Sequence, residues 1–202
     1  MPESVISVAL GLGLSAACGF RVFLPLLAMS IAAATGQLPL ASGFAWVGTT
    51  PALIALATAT VAEVLAYYIP WLDNVMDTIA TPAAMVAGVV ASAGAIVDLP
   101  EFLRWGVAVV AGGGAATVVQ GTTVALRAKS SATTAGAANP FLATAELAGA
   151  ATISTLALII PVATLVGVVL LIVLLIRAAG RLLFRRKGGT KANSISHNTI
   201  RR

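Results

Sequence analysis

Arg21 lies inside a segment, residues 4–35, that carries no other charge and is otherwise largely apolar. An arginine at the bilayer centre costs about 2.5–3.5 kcal/mol on insertion scales, so it calls for an acidic partner inside the protein or a route by which it snorkels to an interface. Glu63 is the expected partner. It stands about twelve residues, roughly 18 Å, beyond Pro51 in a second apolar stretch, and Tyr67 follows four residues later on the same helical face. A carboxylate in that position suits a proton relay or cation coupling, and equally a structural ion pair with Arg21.

Further along, Asp73, Asn74 and Asp77 form an acidic link. If helical, the two carboxylates share a face and could hold a hard cation through oxygen ligands; an acidic turn at a membrane surface has the same composition. Arg127, Lys129 and Ser130 precede Asn139-Pro140. Two cations and a hydroxyl ahead of a helix start could receive a phosphate or carboxylate, because the helix N-terminus also favours anions; a solvated loop reads the same way. Glu146, six residues into the span that Pro140 opens, could pair with Arg127 or Lys129, or simply stabilise a helix start. The acidic and basic links are two spans apart and therefore fall on the same side, where they could meet.

Classical nucleophilic catalysis finds no support. His197 and Cys18 are the only histidine and cysteine, so neither a Ser-His nor a Cys-His pair is expected, and no cysteine-based metal site or intrachain disulfide can form. Gly11-x-Gly13-x-x-Ala16 has dinucleotide-fingerprint spacing but no βαβ context. No enzyme activity and no cofactor are expected.

These residues stand out because the rest of the chain is so apolar. Of 202 residues 59% are hydrophobic and 9% charged, against about 45–50% and 25% for soluble domains. A polytopic all-α membrane bundle is therefore expected. Eight of the twelve Lys and Arg residues lie from Arg177 onward, whereas the first 176 positions hold four basic and seven acidic side chains. The net charge of +5 thus reads as a topology signal, with no nucleic-acid partner implied.

The expected elements follow from apolar runs and prolines. Residues 4–35 would form roughly 48 Å of helix, too long for a ~30 Å hydrocarbon core, so a break is expected near Gly19–Pro25. A second span opens at Thr50-Pro51 and closes at Trp71. A third opens at Thr81-Pro82, after the acidic link, and ends near Val97. A fourth covers 102–126 and contains Gly112–Gly114, a packing surface for close helix approach. Residues 141–176 form a last stretch broken at Pro161, crossing once or twice. Five or six spans result. The positive-inside rule favours six with both termini cytoplasmic, while 159–164 lack turn-forming residues. Span, link and two Pro-led spans recur in both halves, as in an inverted repeat. Residues 1–180 form one membrane domain, and 181–202 read as a basic, disordered cytoplasmic tail that would meet anionic lipid headgroups.

The blocks Cys18-Gly19-Phe20-Arg21-Val22-Phe23-Leu24-Pro25, Ala62-Glu63 through Asp73-Asn74, Asp77-Thr78-Ile79-Ala80-Thr81-Pro82 and Arg127-Ala128-Lys129-Ser130-Ser131 together resemble a family of small bacterial multi-pass integral membrane proteins catalogued as a domain of unknown function. The resemblance covers about residues 8–165. It implies the membrane fold and a bacterial inner-membrane location, and brings no activity, substrate or site with it.

The residues themselves suggest a small permease for an anionic or phosphate-bearing substrate, in which Arg21 and Lys129 contact the anion, Glu63 couples protons, and Asp73 and Asp77 gate or pair with the basic link. The alternative is a non-transporting assembly factor or helix-bundle interaction protein whose polar residues hold helices together. Self-association into a homo-oligomer is compatible with either.

Overall fold

A computed structural model describes residues 3–69 and 72–177, apart from the Asn74 side chain. The described residues are 84% helical, and no strand occurs among them. In an apolar chain this follows from the need to satisfy every backbone N–H and C=O internally. The elements are α1 (Glu3–Cys18), α2 (Phe23–Ala34), a 3-10 turn (Ala45–Gly48), α3 (Thr50–Ala66), α4 (Leu72–Ala95), α5 (Glu101–Val107), a π-helical stretch (Ala108–Gly113), α6 (Gly114–Thr134), α7 (Asn139–Ile159) and α8 (Pro161–Arg177).

The break in the first apolar stretch is a reversal. Gly19 and Phe20 donate to Ala16 and Ala17 carbonyls in tight turns at 3.1 and 3.0 Å. Gly11 of α1 then packs on Ser92, and Met29 of α2 on Gly94, so both arms reach the same end of α4. At 16 and 12 residues these arms are roughly 24 and 18 Å long, each shorter than a full crossing. Gly19 permits the tip to seat: a Cβ there would lie 2.5 Å from the Ala116 carbonyl oxygen.

Among the described residues three helical segments are long and apolar enough to cross a membrane, Val75–Ala95, Glu101–Thr134 and Asn139–Ile159. That is fewer than the five or six expected, because the reversal divides the first apolar run and α3 is only 17 residues long.

Several boundaries differ from expectation. The acidic link is the start of α4, which continues through Pro82; a proline removes one N–H and crowds one carbonyl, which a tertiary-anchored helix tolerates. Residues 127–134 belong to α6, and the turn to α7 is made at Ala135 and Gly136, both with positive φ. Thr49 rather than Thr50 caps α3, accepting from the Ala52 amide. Just before Pro161 the chain bends: Ala157 and Thr164 both lie against Gly13, whereas a straight helix would separate them by about 10 Å along its axis. Ile160, with φ −134° and ψ 65°, makes this bend without the turn residues whose absence argued against it.

The core between α1, α4, α6 and α7 is built from alanine, glycine and serine, which lets backbones approach closely. Ser15 Oγ, for example, reaches the Gly88 carbonyl on α4 at 2.6 Å. The chain divides into two compact units, residues 1–168 and 169–202. All site residues belong to the first; in the second, residues 169–177 are helical. The expected closing Trp71 and basic tail lie outside the described residues.

Candidate functional site

The α1–α2 tip carries Arg21 to the end of the bundle where α3 ends, α4 begins, α6 ends and α7 begins. Arg21 is 1% exposed, so it faces the interior and does not snorkel. Its Nη2 donates to the Ala143 carbonyl at 2.8 Å and lies 3.4 Å from Glu146 Oε2, while its Cζ sits 4.0 Å from the Tyr67 ring centroid.

Glu63 is not the ion-pair partner of Arg21. Its Oε1 accepts the Val22 amide at 2.8 Å and its Oε2 the Phe23 amide at 3.1 Å. The first amides of a helix lack intrahelical acceptors and carry partial positive charge, and the α2 start claims this carboxylate. Glu63 stands in the last turn of α3, not midway along a crossing.

Arg127 completes the centre from α6. It grips Glu146 in a two-point contact, Nε to Oε1 at 3.0 Å and Nη2 to Oε2, lies 3.8 Å from Asp77 Oδ1, and also covers the Tyr67 ring, Cζ to centroid 4.3 Å. Tyr67 is thus in contact with both guanidinium groups, a cation–π arrangement that also excludes water. One turn before Asp77, Asp73 accepts from Asn139 Nδ2 at 2.7 Å, and that amide also donates to Ser131 Oγ at 3.0 Å. Asn139 therefore ties α7 to α4 and leaves the N-cap position of α7 to Ala138. The acidic and basic segments do meet.

The centre brings together Arg21, Glu63, Tyr67, Asp73, Asp77, Arg127, Asn139 and Glu146. It excludes Lys129, which is exposed on α6 and, with Ser130, lines a separate shallow groove alongside Phe141 and Leu142. The two residues are helical, not part of a loop ahead of α7, so Arg127 rather than Lys129 joins Arg21. The Asn74 side chain lies outside the described residues. Three participants escaped the sequence reading: the Val22 and Phe23 amides and the Ala143 carbonyl, which have no side-chain signature. Ser131 was legible as a hydroxyl eight residues before Asn139.

Formally, four carboxylates face two guanidinium groups. Several buried atoms in the centre also lack a hydrogen-bond partner among the described residues: Arg21 Nε and Nη1, Arg127 Nη1, Asp73 Oδ1 and Asn139 Oδ1. Among the described residues no three His, Cys, Asp or Glu side chains are arranged to hold a metal ion.

The family model for a domain of unknown function (DUF4126) matches residues 8–181. The chain belongs to this family. No curated protein and no solved structure matches it. The matched stretch contains every residue of the polar centre. Together with the three crossing-length helices, and with large apolar side chains such as Ile54, Leu65, Val110 and Phe141 exposed on the bundle's exterior, the charge-poor composition points to a membrane protein.

Proposed function

We propose that the protein is a small multi-pass permease of the bacterial inner membrane that admits an anion at the paired arginines. The observation that carries this reading is the set of three unpartnered guanidinium nitrogens, Arg21 Nε and Nη1 and Arg127 Nη1, on two buried side chains that share Glu146 and Tyr67. A buried donor without a partner costs about 1–3 kcal/mol, more when charged, and a carboxylate or phosphate offers matching acceptors in the planar geometry guanidinium prefers. Helices that break inside the membrane, with their ends turned to a polar centre, are a recurrent transporter device. The α1–α2 reversal supports that reading.

The charge balance adds a condition. With four carboxylates already facing two guanidinium groups, a lone anion would deepen the excess, so it enters with a proton or cation. Glu63 serves as the proton acceptor: once protonated it releases the α2 amides, which then face the anion. The proposal involves no covalent chemistry and assigns no enzyme activity.

Uptake of radiolabelled phosphate and of small carboxylates into proteoliposomes tests it. Arg21→Lys and Arg127→Lys keep the charge but lose the planar donor fork, and flux should fall about 10-fold or more in each. Wild-type vesicles without anion flux, or unchanged flux in both folded variants, would overturn the reading. The two-point Arg127–Glu146 contact favours a second one, a non-transporting assembly factor held together by its polar residues. Under that reading the same substitutions lower stability while neither wild type nor variant carries flux.

A further inference from the structure

Asp73 is the one carboxylate of the centre that, among the described residues, pairs with no basic side chain and caps no second helix; its offset is the first turn of α4, in which it stands. Glu146 has both arginines, Asp77 has Arg127, and Glu63 has the two α2 amides. Asp73 is 1% exposed; among the described residues its Oδ2 accepts the Asn139 amide and its Oδ1 has no partner. Among the described residues no lysine or arginine pairs with it. The α4 start and one neutral hydrogen bond offset part of the cost of removing this carboxylate from water; a cation or a proton would offset the rest.

The neighbouring atoms select between these. Asn139, also buried, turns its Nδ2 to Asp73 Oδ2 and Ser131 Oγ, which leaves its carbonyl oxygen Oδ1 buried and unpartnered. Donation from Asn139 is the arrangement that suits an ionised Asp73. Two free, buried oxygens, one anionic and one neutral, therefore sit on two side chains that are hydrogen-bonded to each other. Such hard oxygen donors suit an alkali cation. A divalent ion calls for more carboxylates in one place, and no such group exists among the described residues.

We propose that Asp73 and Asn139, at the junction of α4 and α7, bind a monovalent alkali cation, Na⁺ in the first instance, through Asp73 Oδ1 and Asn139 Oδ1. The site reduces the negative excess of the adjoining centre, where Asp77, Glu63, Glu146, Arg21, Arg127 and Tyr67 are the charged and titratable neighbours. It fixes α7 to the start of α4 when filled. It rests on these two side chains alone and stands whether or not the protein moves an anion.

The test is Na⁺ binding to the full chain in lipid nanodiscs, measured with ²²Na⁺ against N-methylglucamine at equal ionic strength and followed in parallel by thermal unfolding. The expected result is saturable binding and a rise in the unfolding midpoint with Na⁺. Asp73→Asn and Asn139→Ala should each weaken binding about 10-fold or more, while Lys129→Ala, on the exposed face of α6, binds as wild type. Competition by K⁺ and Li⁺ reports the size preference of the same site. Absence of saturable Na⁺ binding to wild type, the outcome if Asp73 carries a proton instead, overturns the proposal; so does Asp73→Asn that binds normally. Because the wild-type measurement is decisive alone, a variant that fails to fold does not shield it, and Asp73→Glu, which retains the charge, should bind with altered affinity.

Discussion

The Glu63 carboxylate accepts the Val22 amide at 2.8 Å, across 41 residues of sequence. Val22 is the N-cap of α2 and offers no side-chain cap of its own, so the last turn of α3 supplies one from outside. The same contact fixes where the α1–α2 reversal ends, and with it the position of Arg21. An element of local structure, the start of a 12-residue helix, therefore depends on a tertiary partner.

Replacing Glu63 by Gln should cost about 1–2 kcal/mol, the range for losing a cap or a charge-assisted hydrogen bond. Glutamine keeps the shape but can present only one acceptor, and its amide nitrogen would face a backbone N–H. Chemical unfolding in detergent micelles measures this. A Gln variant as stable as wild type would remove the capping role.

The Arg127–Glu146 pair should behave as a coupled unit. Removing one member of a buried pair costs about 3–5 kcal/mol where the other is left unpaired; here Arg21 remains beside Glu146 and Asp77 beside Arg127, so Arg127→Gln and Glu146→Gln should each be destabilising by about 3 kcal/mol or less. The double variant should cost less than the two singles added, by about 1–3 kcal/mol. Arg21, which loses Glu146 in both backgrounds, keeps the double variant below wild type. Strict additivity in the cycle would show that the two side chains do not interact.

How far the sequence foretold this centre depended on the kind of partner involved. Arg21, Glu63, Tyr67, Asp73, Asp77, Arg127, Asn139 and Glu146 stood out because each is a polar group in an apolar chain, where its cost alone singles it out. Their pairing was not legible. Arg21 and Glu63 looked complementary by charge and depth, yet backbone amides at 22 and 23 claimed the glutamate, and amides carry no sequence signal. Lys129 looked equivalent to Arg127, two residues away, until the continuation of α6 turned the two to different faces. The reversal at Gly19 and the bend at Pro161 were legible as breaks, since neither apolar run fits one hydrocarbon thickness, but the form of each break goes with close packing on Ala116 and around Gly13. Pro82 shows the converse: a residue that usually marks a helix start sits within α4, whose first turns are held by Asn139 and Arg127.

Tyr67 contacts both guanidinium groups through its ring, and its hydroxyl interacts with Asp77. Tyr67→Phe keeps the ring and should cost about 1 kcal/mol, the worth of one hydrogen bond. Tyr67→Leu also removes two cation–π contacts and should cost about 1–2 kcal/mol more. Unfolding midpoints of the two variants, compared at equal lipid content, check the order. Equal losses in Phe and Leu would assign the whole effect to the hydroxyl.

The sharpest steric test lies at the hairpin tip. A Cβ on Gly19 would meet the Ala116 carbonyl oxygen at 2.5 Å, Val119 Cβ at 2.6 Å and the Gln120 amide at 3.0 Å. Two of these atoms are backbone of α6, so they cannot swing aside as a flexible side chain would. Gly19→Ala should therefore lift the tip away from α6 and destabilise the protein by about 1–3 kcal/mol, as overpacking does elsewhere. Gly121, on the same helix that receives the tip, faces open space, and Gly121→Ala should instead be neutral or stabilising by about 0.5–1 kcal/mol through helix propensity. Because Arg21 is two residues from Gly19, the Gly19 variant should also lower flux and loosen the Arg21–Glu146 contact, whereas the Gly121 variant leaves both unchanged. Paired unfolding and uptake measurements on the two alanine variants decide the matter. A Gly19→Ala protein with wild-type stability would mean that the tip does not seat against α6 at all.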